Sequence, residues 1–265
     1  MRIESSAMKP PTPAHSSVSV HLLPGLIPSG ALAGGVAVVV DVLRASTVMV
    51  QALASGCEAI VPCLEIEEAR RTALALPTGS AILAGERQGL PIEGFDLGNS
   101  PDSFTPEVCR GKTLVMTTTN GTRAILASLE ADRVLVAAFS NIGATLGALL
   151  DDPRPLHIVC SGTDGRISFE DSLLAGGLAA TLIQRGRAPG NDEATLTAHA
   201  WRWDEGLVDP AAAIRHALTL GRGGQRVREL GLLADLDAAS RFDHQGGLVA
   251  ELRRDPIRIV ASPSV

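Results

Sequence analysis

Two pairs of an acid and an arginine follow apolar runs in the first half of the chain. Asp41 comes directly after five apolar residues and Arg44 follows three positions later, while Glu86 and Arg87 are adjacent just after the apolar run 81–84. Carboxylate oxygens are ligands that Mg²⁺ prefers, and a planar guanidinium binds anionic oxygens through two parallel hydrogen bonds. The two pairs therefore indicate a magnesium-dependent phosphoryl site. Asp41 could equally be a cap of the helix that follows it.

A third acidic segment opens a predicted helix over about 169–185. Glu170 and Asp171 stand in its first turn, where acids also stabilise the helix dipole without any ligand. The run 173–180 consists of Ala, Gly and Leu, so the helix is expected to be buried. Buried carboxylates are usually paired or bound to a metal. The predicted metal ligands are Asp41, Glu86, Asp171 and, in reserve, Glu170.

Hydroxyl groups are concentrated in the segment 117–122, TTTNGT, between a predicted strand and a predicted helix. Such residues cap helices well, so a capped helix would account for them. The alternative is an anion cradle, in which N–H groups at the helix start and side-chain hydroxyls bind phosphate oxygens. Its candidate members are Thr118, Thr119 and Asn120, and Asn99 near the end of the polar stretch 85–101 is a fourth.

The elements that must position these side chains repeat one pattern: a short β-branched run, a polar turn and an Ala/Leu-rich helix. This pattern predicts an α/β fold, a layered sheet of mainly parallel strands with flanking helices. Ligands bind such sheets at the carboxyl ends of the strands, and the polar motifs all follow predicted strands. The segment 189–251 is predicted to be mostly helical. Strands are predicted at 18–23, 36–40, 59–63, 80–84, 113–116, 133–137, 156–160 and 256–260.

Composition limits the kind of core that the 265 residues can form. Hydrophobic residues make up 45% of the chain but aromatic residues only 3%, so the core must consist of Ala, Val, Leu and Ile, as is typical of parallel strands covered by helices. Residues 1–17 carry three prolines and no periodicity and are predicted to be a disordered leader. Residues 18–265 are predicted to form one α/β catalytic domain, or two closely packed lobes.

Charge and residue spacing exclude several classes of function. The net charge of −6, without a Lys/Arg cluster, disfavours nucleic acid, although a few local arginines could bind a small anion. No histidine or cysteine spacing is that of a zinc site, so the four cysteines are predicted to be buried free thiols. No signal-peptide core and no run of about 18 apolar residues occurs, so the protein is predicted to be cytoplasmic without a membrane partner. Association into a homo-oligomer stays open.

Taken in order, five segments resemble the 2-phosphosulfolactate phosphatase family, and the resemblance covers about residues 18–260. They are 41–47 (DVLRAST), 85–101 (GERQGLPIEGFDLGNSP), 117–125 (TTTNGTRAI), 140–141 (SN) and 160–171 (CSGTDGRISFED). The resemblance implies a Mg²⁺-dependent hydrolase that converts (2R)-2-phospho-3-sulfolactate and water to 3-sulfolactate and phosphate, on the route to coenzyme M in methanogens. No motif is matched after about Pro189.

On this hypothesis each motif has a role towards a small anionic phosphorylated acid. Arg44 and Arg87 would clamp the phosphate and the other acid groups of the substrate. Direct attack by water and a phosphorylated Asp41 both stay open. Another phosphorylated hydroxy acid as substrate, or a non-catalytic binder of small polyanions, are the alternatives. The predicted catalytic residues are Asp41, Arg44, Glu86, Arg87 and Asp171. The predicted substrate-binding residues are Asn99, Thr118, Thr119, Asn120 and Asn141.

Overall fold

A computed structural model describes residues 17–201 and 209–263, and within these ranges it confirms the predicted α/β fold. Eleven strands form one mostly parallel sheet with helices packed against it. In the described part of the chain, no helix has both the length and the apolar composition needed to cross a bilayer. The predicted leader lies outside the described residues, except for Ser17, which begins the first strand.

The strands, in chain order, are β1 Ser17–His21, β2 Val36–Val40, β3 Ala59–Pro62, β4 Ala81–Arg87, β5 Leu90–Pro91, β6 Thr113–Thr117, β7 Arg133–Ala137, β8 Leu156–Cys160, β9 Ala188–Pro189, β10 Leu248–Arg254 and β11 Ile257–Pro263. The helices are α1 Ala45–Ala54, α2 Ile66–Ala75, α3 Pro106–Cys109, α4 Gly121–Ala127, α5 Ile142–Leu150, α6 Phe169–Gln184, α7 Asp192–Trp201, α8 Pro210–Leu218, α9 Arg222–Glu229 and α10 Leu233–Ala239.

Strand β2 shows how the core is divided between the two faces of the sheet. Successive side chains of a strand point to opposite faces. Val36, Val38 and Val40 accordingly pack in a core that includes α6 and α8, while Ala37 and Val39 pack in a second core around α1 and α4. All five residues of β2 are buried, which is why its sequence is continuously apolar rather than alternating.

The strand order is β5-β4-β6-β3-β11-β10-β7-β2-β8-β1-β9. Strands β4, β6 and β3 are parallel to one another, and so are β7, β2, β8, β1 and β9. The hairpin β10–β11 lies between these halves and pairs antiparallel with β7 on one side and β3 on the other. The two parallel halves therefore run in opposite directions.

Twist and curl bring the carboxyl ends of these opposed halves to one place. Six strand steps separate β4 from β2, and at about 20–25° per step the accumulated twist is roughly 120–150°. Because the two strands would be antiparallel in an untwisted sheet, this rotation makes them point in similar directions. A flat sheet would still hold β4 and β2 about 30 Å apart. Instead, Arg44, which follows β2, donates to the carbonyl oxygen of Gly89 in the β4–β5 turn at 2.8 Å, so the ends of the two strands lie close together.

Two predicted elements differ from the structure. Strand β4 continues to Arg87 instead of ending at residue 84, and it forms a hairpin with β5 through Gln88 and Gly89. Both turn residues have positive φ, as the common two-residue hairpin turn requires. The segment 189–251 is mostly helical in its described part, as predicted, but β10 begins at Leu248. Its apolar pattern fits a helix or a strand, and pairing on both sides decides for the strand.

Candidate active site

A cavity of about 620 Å³ lies where β2, β4 and β6 end. Its base is formed by buried polar side chains and its rim by exposed residues of the β8–α6 loop and of α9. The sequence-predicted residues that line it are Asp41, Arg44, Glu86, Asn99, Thr118, Thr119 and Asn120.

Asp41 lies at the base of the cavity, one residue after β2. Its Oδ1 accepts a hydrogen bond of 3.0 Å from the N–H of Ala45, so it does cap α1, as the simpler interpretation of the sequence proposed. Its Oδ2 faces Gly121, where a Cβ would lie only 2.8 Å away. The first turn of α4 can therefore approach Asp41 only because residue 121 has no side chain.

Glu86 is buried beside Asp41, and both of its carboxylate oxygens are used by the backbone. Oε1 accepts from the N–H of Thr119 at 2.8 Å, and Oε2 accepts from the N–H of Gly89 at 2.7 Å. Glu86 thus joins the β4–β5 turn to the segment that follows β6. Its neighbour Gly85 lies against the carbonyl oxygen of Thr117, which a Cβ would overlap.

Arg44 reaches the cavity but is held by the protein. Its Nη1 donates to Asp235 Oδ2 at 2.6 Å and to Ser100 Oγ at 3.3 Å, and its Nη2 donates to the carbonyl oxygen of Gly89 at 2.8 Å. The side chains of Arg44 and Asp235 are each only 5% exposed. The ion pair connects the start of α1 to α10, so Arg44 has little of its hydrogen-bonding fork left for a ligand.

The segment 118–120 combines a helix cap with unpaired oxygens. The hydroxyls of Thr118 and Thr122 each accept a backbone N–H from the other residue at 3.2 Å. In contrast, Thr119 Oγ1 is buried and has no hydrogen-bond partner among the described residues, and the same is true of Asn99 Oδ1. Buried polar atoms are rarely left unpaired, so these two atoms indicate a place for a polar ligand.

Glu170 and Asp171 begin α6 below the cavity and are not part of its lining. Asp171 accepts from the N–H groups of Val42 and Gly162 at 2.8 and 3.0 Å, which ties the ends of β2 and β8 together. Glu170 is 1% exposed, its Oε2 has no partner among the described residues, and its carboxylate lies against Gly221 and Gly223 at the start of α9.

Burial and nearby carboxylates raise the pKa of all three acids, and for Asp41 the nearby carboxylate is Glu86. Burial raises the pKa of Asp41 to about 6, opposed by hydrogen bonds from Ala45 and Ser161. Burial, together with the charge of Asp41, raises the pKa of Glu170 to about 7. Burial and both other carboxylates raise the pKa of Asp171 well above its usual range. At neutral pH, the ionised forms of these close carboxylates therefore repel one another. Binding of a proton or a cation would relieve this repulsion.

Besides Glu170 and Asp171, two further predicted site residues, Arg87 and Asn141, do not line the cavity. Arg87 donates to the carbonyl oxygens of Glu86 and Leu64 and to Thr117 Oγ1, because alternate residues of β4 point to opposite sides. Its placement does not support a role in clamping phosphate.

Asn141 is fully buried, and both ends of its amide are used. It accepts from the N–H of Ala138 at 2.8 Å and donates to the carbonyl oxygens of Val136 and Leu248 at 3.2 Å. The residue therefore joins β7 to the start of β10. The structure thus gives the side chain a structural task, and its role in substrate binding stays a prediction.

Sequence reasoning also missed residues that form the site. Asp235 holds Arg44, and Arg166, Arg222 and Arg226 line the cavity. Arg166 lies inside the motif 160–171 and could have been chosen there. The other three residues come from the segment after Pro189, in which no motif was recognised.

The pattern of motif residues around this cavity agrees with a family comparison. The model of the family described as 2-phosphosulpholactate phosphatase matches residues 21–253. The chain belongs to the 2-phosphosulfolactate phosphatase family. The match includes every residue that lines the cavity, including those of α9.

Individual relatives agree with this family membership, and each is named a probable 2-phosphosulfolactate phosphatase. The relative from Synechococcus sp. strain WH7803 is 41% identical over 208 residues, which are 77% of this chain and 84% of that protein. The relative from Synechococcus sp. strain RCC307 is 39% identical over 245 residues, or 90% and 93% of the two chains. The relative from Clostridium acetobutylicum is 36% identical over 208 residues, or 78% and 85%.

The structure of this family member does not assemble the four predicted metal ligands as one set. Within residues 17–201 and 209–263, no three His, Cys, Asp or Glu side chains converge as a metal centre. Glu86 and Asp171 have their oxygens on backbone N–H groups instead. The four cysteines, Cys57, Cys63, Cys109 and Cys160, are free and buried, as predicted.

Proposed function

We propose that the protein is a phosphomonoester hydrolase whose substrate is (2R)-2-phospho-3-sulfolactate, which it converts with water to 3-sulfolactate and phosphate, and that it requires Mg²⁺. The observation that carries the proposal is the base of the cavity. There Asp41 lies beside two buried oxygens without partners, Asn99 Oδ1 and Thr119 Oγ1, in a chain of this family. Thr119 Oγ1 can donate to an anionic oxygen of the ligand, whereas Asn99 Oδ1 only accepts and would face a metal ion or a hydrogen-bond donor of the ligand.

The residues present fit a magnesium ion bound by few protein ligands. Mg²⁺ in phosphoryl sites usually has one or two carboxylates and completes its shell with water and substrate phosphate. Asp41 and Glu170 would be those carboxylates, because Asp41 lines the cavity, Glu170 Oε2 lacks a partner among the described residues, and the charge of Asp41 raises the pKa of Glu170. The ion would supply positive charge to the phosphoryl oxygens. Glu86 and Asp171 would instead hold the backbone around it.

Polar residues at the base of the cavity would orient the ester. Thr119 would donate its hydroxyl to a phosphoryl oxygen, and the amide of Asn99 would contact a second polar group of the ligand. The N–H of Thr119 is bound by Glu86, so the backbone that carries the hydroxyl is held in place before the ester binds. Fixed donors of this kind stabilise developing charge better than water does.

Phosphate release from purified protein tests the substrate. We expect release from 2-phospho-3-sulfolactate to exceed release from 2-phosphoglycerate and 2-phospholactate, to stop in EDTA and to return with Mg²⁺ rather than Zn²⁺. Asp41→Asn should abolish release, whereas the matched exposed variant Asp102→Asn should keep it. Full activity in excess chelator would contradict the metal requirement. Binding of these esters without any phosphate release would indicate a polyanion-binding protein instead.

Rapid-quench measurements distinguish the two chemical routes that the sequence leaves open. A burst of phosphorylated enzyme that is lost in Asp41→Asn would show that the carboxylate attacks the ester. Release without a burst would support direct attack by water. Location in the cytoplasm and assembly into oligomers stay predictions.

A further inference from the structure

Four arginines line the cavity, and two of them are already held by the protein. Arg44 is paired with Asp235 and also donates to Gly89. Arg226 donates to the carbonyl oxygen of Gln88 at 3.2 Å and lies 3.5 Å from Glu229. Both guanidinium groups therefore already bind protein groups beside the cavity, and neither offers all of its N–H donors to an anion.

The side chains of the other two arginines, Arg166 and Arg222, have no hydrogen bond or ion pair within the described residues, and both residues are exposed at the rim. They approach the cavity from different elements, the β8–α6 loop and the first turn of α9. An arginine side chain without a partner at the edge of the cavity retains its full capacity for a second anion.

Both arginines stand on backbone that the fold holds in place. Thr163 and Arg166 exchange two backbone hydrogen bonds of 2.8 and 3.0 Å, and the N–H of Asp164 donates to Asn120 Oδ1, which joins this loop to the segment after β6. Arg222 stands between Gly221 and Gly223, and any Cβ at either glycine would press into the buried Glu170 carboxylate. The rim is thus a fixed feature of the cavity rather than loose surface.

We propose that Arg166 and Arg222 form a subsite for the anionic group that the substrate carries in addition to its phosphate, a carboxylate or a sulfonate, and so determine substrate specificity. The proposal rests on the proposed function. The phosphate binds at the buried base, near Asn99 and Thr119, and the second anion reaches the rim. A phosphomonoester without a second anion would leave both arginines unused.

Three esters and three variants test the subsite. The esters are 2-phospho-3-sulfolactate, 2-phospholactate, which lacks the sulfonate, and 2-(phosphonooxy)ethanesulfonate, which lacks the carboxylate. The variants are Arg166→Gln, Arg222→Gln and, as the matched control on α9, Arg228→Gln, which is exposed, does not line the cavity and has no partner in the described part of the chain. KM and kcat are measured for every combination.

We expect Arg166→Gln and Arg222→Gln each to raise KM for the full substrate about 10- to 100-fold, the usual effect of losing a charged hydrogen bond. Their kcat should change less than about 3-fold, because the reacting phosphate is elsewhere, and Arg228→Gln should match wild type. With the ester that lacks the contacted anion the increase in KM should nearly disappear, which identifies that anion. Equal increases for all three esters, or none, would overturn the proposal.

Failure of the proposed function is a different outcome. In that case the wild-type protein releases phosphate from none of the three esters. Calorimetric binding of 3-sulfolactate to the same variants then decides the subsite by itself. Weaker binding in Arg166→Gln and Arg222→Gln, with normal binding in Arg228→Gln, supports the subsite, and equal binding in all variants rejects it.

Discussion

At the residue scale, Asp41 and Glu86 are both buried acids at strand ends, yet their neighbours give them different tasks. Asp41 accepts a backbone N–H with one oxygen and faces Gly121 with the other. Glu86 has both oxygens on backbone N–H groups, from Thr119 and Gly89. The first arrangement leaves an oxygen for chemistry, whereas the second positions the walls of the cavity.

Glu86→Gln should therefore lower stability. One oxygen of the new amide can still accept an N–H, but its NH₂ group would face the other N–H, so the free energy of unfolding should fall by about 1–3 kcal/mol in urea denaturation. Glu93→Gln, an exposed acid in the following loop, is the control and should stay within about 0.5 kcal/mol of wild type. If Glu86→Gln is as stable as wild type but inactive, Glu86 is better explained as a metal ligand.

Asp235→Asn tests the ion pair that holds Arg44. The variant leaves a buried guanidinium without its counter-charge, which should cost about 3–5 kcal/mol of unfolding free energy. Asp102→Asn breaks the neighbouring pair with Arg241, whose side chains are 47% and 38% exposed, and should cost less than about 1 kcal/mol. Equal losses in the two variants would show that the burial of the Arg44 pair has no energetic consequence.

At the element scale, the β4–β5 hairpin positions the cavity through its turn. Gln88 and Gly89 have φ values of 56° and 81°, and the N–H and carbonyl of Gly89 bind Glu86 and Arg44. The turn thus connects the two acid–arginine motifs that the sequence places 45 residues apart. The polar stretch after residue 84 is explained by this task, because a two-residue turn at the cavity needs residues that accept positive φ.

Gly89→Ala should damage this hairpin. The alanine would have a positive φ of 81°, and its Cβ would lie 2.7 Å from Leu230 Cδ1 in the segment after α9. Gly79→Ala carries the same φ in open space and is the control. Both should lose about 1–2 kcal/mol from backbone strain, but only Gly89→Ala should also lose phosphate release, since it moves the partners of Glu86 and Arg44. Normal activity in Gly89→Ala would show that phosphate release does not depend on the conformation of this hairpin.

At the scale of the whole molecule, the hairpin β10–β11 joins two half-sheets of opposite direction. The strand pairing that connects it to them is short: Ile259 of β11 pairs with Ile60 of β3, and Ala250 and Glu251 of β10 pair with β7. The cavity needs residues from both halves, with Asp41 from one and Glu86 and Thr118 from the other. The junction is therefore as necessary to the site as the strands that end in it.

Ile259→Ala should weaken the whole fold. Ile259 is fully buried where the hairpin meets β3, so its truncation should lower the free energy of unfolding by about 2–5 kcal/mol in urea denaturation. Ile257, two residues earlier on the same strand, is 36% exposed, and Ile257→Ala should cost less than about 1 kcal/mol. A small loss at residue 259 would mean that the halves are held together elsewhere.

Much of the fold is determined by the sequence alone. The strands at 36–40, 133–137 and 156–160 coincide with their predicted bounds, since short β-branched runs between polar turns are a local signal. The motif residues that follow strands mostly line one cavity for the same reason: side chains at strand ends are placed by the strands themselves. Composition likewise predicted a mainly aliphatic core, in which Phe104 and Phe139 are also fully buried, and the cysteine spacing predicted the buried thiols.

Only the tertiary structure decided which polar groups are free and which are occupied. Arg44 is paired with Asp235, 191 residues away, and Arg222 reaches the rim from a helix that carries no recognisable motif. Asn141 stands in a motif but has every polar atom on the backbone. Hydrogen-bond partners are chosen by contacts between distant segments, and the opposed half-sheets bring those segments together only after the sheet has twisted and curled. No local pattern in the chain contains that information.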